Sequence, residues 1–128
     1  MRNSGKEAAI RRWFEAWLAQ DASAIDDVFD EEIVYSECYG PEYRGISQIH
    51  RWFDDWNRKG RVLEWTIREM YCDADCLIAV WYFRCEYEGN TDGFDGVTLA
   101  KINEDGKIAS LREFQSKAEH ILPYGGRL

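Results

Sequence analysis

Two carboxylates lie among aromatic residues in stretches that read as strands. The first belongs to IVYSECYGPEYRG, residues 33–45, which is mostly apolar. Side chains alternate between the two faces of a strand. Glu37 therefore shares one face with Ile33, Tyr35 and Tyr39. A carboxyl group in an apolar cavity has a raised pKa and can act as a general base near neutral pH. Glu37 could do this chemistry if its face lines a cavity, which alternation by itself does not decide.

The second carboxylate, Glu113, belongs to the last predicted strand. Alternation places Leu111, Glu113 and Gln115 on one face of that strand, and periodicity alone does not decide whether this face points inward. If Glu37 and Glu113 share a cavity, their pKa values can be driven apart, so that one serves as base and the other as acid. The alternative is that each accepts hydrogen bonds and only polarises the cavity, with Tyr35, Tyr39, Trp65 and Arg112 as candidate donors.

Aromatic residues make up 15% of the 128 residues, which is high for so short a chain. We expect Trp17 and Phe53 to pack in the core, and we expect four others to line a ligand site. These four are Trp52, Trp56, Trp81 and Phe83. Aromatic walls with few polar groups suit a flat or cyclic apolar molecule, which the hydroxyls of Tyr35, Tyr39 and Tyr43 can orient.

The elements that must position these residues follow from hydrophobic periodicity. The first helix extends to about Gln20 and carries an apolar stripe of Ile10, Trp13, Phe14, Trp17 and Leu18. A short second helix contains Ile25, Val28 and Phe29. After the strand that begins near Ile33 and the break at Gly40-Pro41, a third helix presents Ile49, Trp52, Phe53 and Trp56, and Lys59-Gly60 closes it.

Beyond Gly60 the period changes from 3.6 to 2, which predicts four long strands. They cover residues 62–72, 76–88, 91–103 and 107–117. Short turn signals separate them, so neighbours should pair as antiparallel hairpins. The result is a single α+β domain over residues 1–128, with three N-terminal helices packed on a mainly antiparallel sheet.

The stretch LIAVWYF, residues 77–83, is apolar on both faces of its predicted strand. A sheet with one solvated face would alternate between apolar and polar residues. Because no further element remains to cover the second face, we predict a homodimer through the sheet.

Charge and composition argue against several classes of protein. The net charge of −8 leaves no basic footprint for nucleic acid or an anionic membrane surface. No apolar run approaches the roughly 20 residues that span a bilayer, and the N-terminal sequence shows no secretion signal, so we predict a cytoplasmic protein. The four cysteines read as free thiols rather than a metal site, and nothing implies a cofactor.

The order of elements resembles the NTF2-like superfamily, with its cone-shaped α+β barrel, and in particular its SnoaL-like branch, which includes polyketide cyclases. The cues are Trp13 and Trp17 on the first helix, the segment 28–34, Tyr43-Arg44-Gly45 before a helix with Trp52 and Trp56, and Asp105-Gly106 before the last strand. The resemblance covers roughly residues 6–117.

The resemblance implies a deep apolar pocket and assigns residues to it. Related steroid isomerases carry a carboxylate base at the position of Glu37, whereas the positions of their two oxyanion donors hold Trp13 and Thr98. These are poor substitutes for a tyrosine and a protonated aspartate, so steroid isomerisation is not the leading prediction. The resemblance also favours Leu111, Glu113 and Gln115 as pocket-facing, because related cyclases and epoxide hydrolases use an acid on this strand. It thereby adds Trp13, Thr98 and Gln115 to the candidate ligand-binding residues.

The leading functional prediction is cofactor-free acid–base chemistry on a small apolar or cyclic carbonyl compound, of the isomerase, cyclase or hydratase type. Glu37 would be the base and Glu113 the auxiliary acid. Two alternatives stay open: a non-catalytic protein that binds a small apolar or aromatic ligand in the same pocket, and a protein-interaction module of the nuclear-transport-factor type.

Overall fold

In the computed structural model, which describes residues 4–126, three helices pack on one six-stranded sheet. The helices are α1 (Ser4–Ala19), α2 (Ala24–Val28) and α3 (Ile46–Lys59). The strands are β1 (Phe29–Ser36), β2 (Glu42–Arg44), β3 (Gly60–Asp73), β4 (Cys76–Tyr87), β5 (Asn90–Ile102) and β6 (Ile108–Ser116). The predicted α+β class is confirmed, and the strand boundaries beyond Gly60 agree with the predicted ones to within two residues.

The strands are ordered β2-β1-β6-β5-β4-β3 in the sheet. Every neighbouring pair is antiparallel except β1 and β6, which pair in parallel and place Tyr35 beside Leu111. The predicted hairpins from β3 to β6 are therefore confirmed. The parallel pair joins strands that are far apart in the sequence, so no local pattern could predict it.

The aromatic stripe of α1 faces the sheet. Trp13, Phe14 and Trp17 are at most 3% exposed, because the 3.6-residue period brings them to one side of the helix. Leu18, which the pattern placed in the same stripe, is 43% exposed and lies at its edge. On α3 the same period buries Ile49 and Phe53.

Two local predictions in the first third of the chain were wrong. Phe29 does not extend α2 but begins β1, where it is fully buried. Between the predicted break at Gly40-Pro41 and α3, where no strand was predicted, the chain forms β2, which pairs antiparallel with β1. Three residues are too few to show a two-residue period, so this strand depends on the pairing itself.

The alternation of β4 explains why its sequence is apolar throughout. Leu77, Ala79, Trp81 and Phe83 are buried against the helices, and the residues between them are half-buried on the opposite face. Bulges in β3 between Val62 and Glu64, and between Ile67 and Glu69, interrupt the pairing with β4. Bulges of this kind bend a strand and increase its twist, which curves the sheet around the helices.

No helix within residues 4–126 combines the length and apolar character needed to cross a bilayer. The cytoplasmic location stays a prediction.

Gly96 on β5 makes room for Trp81, its partner across β4 and β5. A Cβ at residue 96 would lie 2.2 Å from Cη2 of the Trp81 ring and 2.7 Å from the backbone oxygen of Phe114. Both distances are shorter than van der Waals contact, so the Trp81 ring and the backbone at Phe114 would have to move. Glycine is required here by space.

We therefore expect Gly96→Ala to lower the free energy of unfolding by about 1–3 kcal/mol, the usual cost of overpacking a core. Urea denaturation followed by tryptophan fluorescence measures the change. Gly5→Ala is the control, because a Cβ at Gly5 on α1 meets no atom within 4 Å. Equal stability of Gly96→Ala and the wild type would contradict this account.

Candidate functional site

The concave side of the sheet and the helices enclose a site with two parts. An inner cavity of about 30 Å³ lies among aromatic rings and opens toward an outer cleft of about 740 Å³. Four residues line both parts: Glu37, Tyr39, Trp52 and Trp56. The inner cavity has room for a group the size of roughly one or two water molecules, so a larger ligand would extend into the outer cleft.

Glu113 contributes the buried acid of the inner cavity. It is 9% exposed and lies on β6 next to Thr98 of β5, with which it pairs across the two strands. Burial raises the pKa of Glu113 to about 8. Hydrogen bonds from the Tyr35 hydroxyl and the Cys38 backbone oppose the rise, and the charge of Glu37 adds to it. At neutral pH the carboxyl of Glu113 is therefore protonated and can donate a hydrogen bond.

A buried hydrogen-bond chain leads to Glu113 from the helices. Trp13 Nε1 donates to the Tyr35 hydroxyl at 3.0 Å, and this hydroxyl donates to Glu113 Oε2 at 2.5 Å. Burial and the adjacent Glu113 raise the pKa of Tyr35 far above its usual range. Tyr35 therefore stays a phenol that orients the acid.

Glu37 lies at the junction of the two parts, one residue beyond the end of β1. Burial raises its pKa, and the hydrogen bond from the Tyr43 hydroxyl at 2.7 Å to Oε1 partly opposes that rise. Tyr43 is itself held by stacking on Trp52, with ring centroids 4.5 Å apart. Glu37 thus has one oxygen held by a phenol while its side chain lines both cavity and cleft.

The structure brings most of the predicted site residues together around the inner cavity. Those that line it are Tyr35, Glu37, Tyr39, Trp52, Trp56, Trp81, Phe83 and Glu113. Trp13 and Thr98 lie behind this wall, where Trp13 supports Tyr35 and Thr98 accepts a 2.8 Å hydrogen bond from Trp81 Nε1. Gln115 is exposed beyond Glu113, and its amide approaches the Cys38 carbonyl at 3.5 Å.

Three aromatic residues outside the predicted ligand-binding set also line the cavity: Trp17, Trp65 and Phe94. Trp17 was expected in the core, although its spacing of four residues from Trp13 places it one helical turn away on the same face. Phe94 lies four residues before Thr98 on β5, so strand alternation places both side chains on the same face. This spacing could have assigned Phe94 to the pocket. Trp65 was considered only as a hydrogen-bond donor to the two acids, and its N–H has no partner in the structure. Its ring faces inward because the bulge after Val62 reverses the alternation, so that residues of both parities point to the cavity.

The thiols do not supply a nucleophile at this site. All four cysteines are free, and burial raises the pKa of Cys38 to about 12 and that of Cys85 to about 11. A protonated thiol is a poor nucleophile and a poor metal ligand. Within residues 4–126 no group of three or more His, Cys, Asp or Glu side chains is arranged to hold a metal ion.

The raised pKa of Glu113 gives stability a specific pH dependence. From about pH 4.5, the usual value for the free side chain, to about 8, the unfolded chain has lost this proton while the folded chain keeps it. Over this window the contribution of Glu113 to the free energy of unfolding falls as pH rises. We expect Glu113→Gln to remove that fall, so that the variant gains stability relative to the wild type between pH 5 and pH 8.

Urea denaturation at several pH values tests this expectation. Glu104→Gln, in the exposed turn before β6, is the matched control and should follow the wild type. If Glu113→Gln and the wild type lost stability with the same slope from pH 5 to pH 8, Glu113 would not be held neutral in the folded protein.

Comparisons with known proteins agree with the fold. A protein of Catenulispora acidiphila with a ketosteroid isomerase-like fold, solved in complex with trimethylamine, is 18% identical with a TM-score of 0.75, over 86% of this chain and 85% of that one. An LEH-like epoxide hydrolase of Mycobacterium tuberculosis is 13% identical with a TM-score of 0.79, over 88% and 84% of the two chains. An NTF-2 like protein of Burkholderia xenovorans is 16% identical with a TM-score of 0.76, over 97% and 92%.

These identities show a shared fold and not a shared activity. The search of curated proteins by sequence gives no significant match. The family of SnoaL-like domains, in contrast, matches residues 10–111, which is most of the chain. The predicted NTF2-like, cone-shaped fold is confirmed, and the chain belongs to the SnoaL-like domain family.

Proposed function

We propose that this protein is a cofactor-free acid–base enzyme that moves a proton next to the carbonyl group of a small apolar or cyclic compound. The observation that carries the proposal is the pairing of two carboxyl groups at one aromatic cavity in different surroundings. Glu113 is buried and neutral, whereas Glu37 lies at the junction with the open cleft. Two carboxyl groups in unlike environments can take the roles of acid and base.

In the proposed reaction Glu37 removes a proton from the carbon beside the carbonyl. The electron pair of the broken C–H bond forms the enolate, and negative charge develops on the carbonyl oxygen. The neutral carboxyl of Glu113 stabilises that oxygen by donating a hydrogen bond. Return of the proton from Glu37 to a different carbon completes an isomerisation. Alternatively, the enolate carbon attacks a second carbonyl group, the π bond of that group breaks, and the resulting alkoxide takes the proton from Glu37 as the ring closes.

The register between β5 and β6 supports the acid role of Glu113. Thr98 holds the position at which the resemblance to steroid isomerases expects a protonated acid, and Glu113 lies directly beside it on the next strand. A neutral carboxyl group is therefore supplied from β6 instead of β5. The sequence raised the objection that Thr98 is a poor substitute for a protonated acid as an oxyanion donor. Glu113 in this position answers that objection.

A second candidate function is non-catalytic binding of a small molecule in the same cavity. Its support is the density of aromatic rings around the cavity, together with the relative that was solved with trimethylamine. Aromatic faces attract such amines when they are cationic. Loss of proton-transfer activity on changing Glu37 distinguishes the enzyme from the binder, because the binder has no such activity.

Proton abstraction can be tested before the substrate is known, with 5-nitrobenzisoxazole as a general probe. A base removes the ring C–H proton, the N–O bond breaks, and a coloured phenolate is released. We expect the wild type to accelerate this reaction and Glu37→Gln to lose about 100-fold or more of the rate. Because the pKa of Glu37 is raised, the wild-type rate should climb with pH as this carboxyl ionises and then level off.

Glu42→Gln is the matched control for the rate, because Glu42 pairs with Arg44 at 2.7 Å outside the cavity. The control should keep the wild-type rate. If Glu37→Gln were as fast as Glu42→Gln, the base would not be Glu37 and the enzymatic proposal would fail.

We further propose that two copies of the chain associate through the convex face of the sheet. Val80, Val97 and Phe114 form a row across β4, β5 and β6 in the strand register, and Phe114 is 51% exposed. Among residues 4–126 no helix covers this row, since all three helices pack on the opposite face. A second copy would bury it.

Sedimentation equilibrium should give a mass near 30 kDa for the wild type, twice the 15.0 kDa of one chain. Val97→Glu places a charge in the row and should yield the monomer mass. Leu122→Glu, in the exposed tail, is the matched control and should stay dimeric. A monomeric wild type would overturn the proposed dimer.

A further inference from the structure

Two indole N–H groups at the inner cavity are buried without a hydrogen-bond partner. They belong to Trp17 and Trp65, and they are the two buried side-chain nitrogen or oxygen atoms within the described part of the chain for which the structure provides no partner. A buried donor without an acceptor is unfavourable and rare in folded proteins. Both residues line the inner cavity, but their N–H groups are themselves enclosed, so an acceptor in the cavity bonds to them only if the indole rings turn toward it.

The two tryptophans line the cavity from different elements. Trp17 comes from α1 and packs against Trp52 and Trp56 of α3, at centroid distances of 5.0 and 5.4 Å. Trp65 comes from β3 and packs against Phe83 and Trp81, at 5.1 and 5.4 Å. Two other tryptophans donate their N–H within the protein: Trp13 to Tyr35 and Trp81 to Thr98.

We infer that Trp17 and Trp65 are specificity-determining residues that donate hydrogen bonds to an oxygen-bearing head of the ligand. The ligand is a compound with a compact acceptor group, a ketone or a similar oxygen, that enters the inner cavity while the rest of the molecule occupies the outer cleft. This inference rests on the proposed function for the identity of the site and extends it to the residues that select the ligand.

The sizes of the two compartments limit the shape of this ligand. About 30 Å³ admits only a small group, whereas about 740 Å³ in the cleft accommodates a larger body. The aromatic walls would exclude water around the head, which strengthens each hydrogen bond to it. An apolar head of the same size would leave both donors unpaired, so the cavity discriminates against it.

A cationic amine fits these donors less well. The aromatic faces would attract a cation, but an ammonium group has no lone pair to accept a hydrogen bond from Trp17 or Trp65. An acceptor oxygen uses the donors that the structure leaves unpaired. The observations therefore favour a neutral oxygen compound over an amine.

The test combines a matched pair of ligands with a matched pair of variants. Cyclohexanone and methylenecyclohexane have nearly the same shape, but only the ketone accepts hydrogen bonds. Dissociation constants for both are measured by NMR titration against the wild type, Trp17→Phe and Trp65→Phe. Loss of ring volume on changing Trp to Phe affects both ligands, so the difference between them isolates the hydrogen bond.

We expect each variant to bind cyclohexanone more weakly than the wild type, by up to about tenfold beyond any change for methylenecyclohexane. Equal losses for the two ligands would overturn the inference. If a variant does not fold, the wild type provides the test by itself. Cyclohexanone should move the indole N–H signals of Trp17 and Trp65 downfield, and methylenecyclohexane should not.

Two further outcomes would also overturn the inference. One is that both indole signals stay unmoved by the ketone, as when a water molecule permanently occupies the donors. The other is that tetramethylammonium binds in preference to the ketone and leaves the two signals in place.

Repeating the titrations in Glu37→Gln separates this inference from the proposed function, because binding does not require the base. Ketone-selective binding with no Glu37-dependent rate would support the inference and reject the enzyme. A Glu37-dependent rate without ketone selectivity would support the enzyme and overturn the inference.

Discussion

The hydrogen bond from Tyr35 on β1 to Glu113 on β6 connects two residues that are 78 positions apart in the chain, and the candidate site depends on it. It forms because β1 and β6 pair in parallel, with Tyr35 beside Leu111. That register brings the end of β1, and Glu37 just beyond it, to the same end of the cavity as Glu113. A shift of one residue would turn the side chains of one strand to the opposite face and separate the two acids.

Burial accounts for the electrostatics of the site. In a low-dielectric cavity a carboxyl group without a cationic partner is more stable when neutral, which raises the pKa of Glu113 to about 8. The phenols of Tyr35 and Tyr43 each donate to one of the two acids and so oppose, without abolishing, the effect of burial. The two carboxyl groups differ because Glu113 is enclosed among aromatic rings and Glu37 borders the cleft.

The aromatic rings serve structure and recognition at once. Trp13, Trp17 and Trp52 make edge or tilted contacts with one another and fix α1 against α3. Stacking of Phe14 on Trp65, at 3.9 Å, joins α1 to β3 in the same way. The rings that hold the elements together therefore also form the wall of the cavity. The N–H groups on the edges of Trp17 and Trp65 are polar groups that this wall leaves without a partner.

The sequence by itself determined the elements and much of the site. Periods of 3.6 and 2 predicted the helices and the long strands, and the resemblance to the NTF2-like superfamily identified the fold and placed Glu37 and Glu113 among the candidate residues. These inferences succeeded because they use patterns that repeat over a few residues, which the backbone geometry of each element dictates. Most residues that the sequence assigned to a pocket do line the inner cavity.

The tertiary structure alone decided how these elements meet. The parallel pairing of β1 with β6, the three-residue β2 and the bulge that turns Trp65 inward all depend on partners distant in the sequence. The same holds for the neutral state of Glu113 and the unpaired N–H groups of Trp17 and Trp65, because burial and hydrogen bonding are properties of the assembled cavity. A local pattern records which face of an element is apolar, but only packing decides which atoms share that face and which of them remain without a partner.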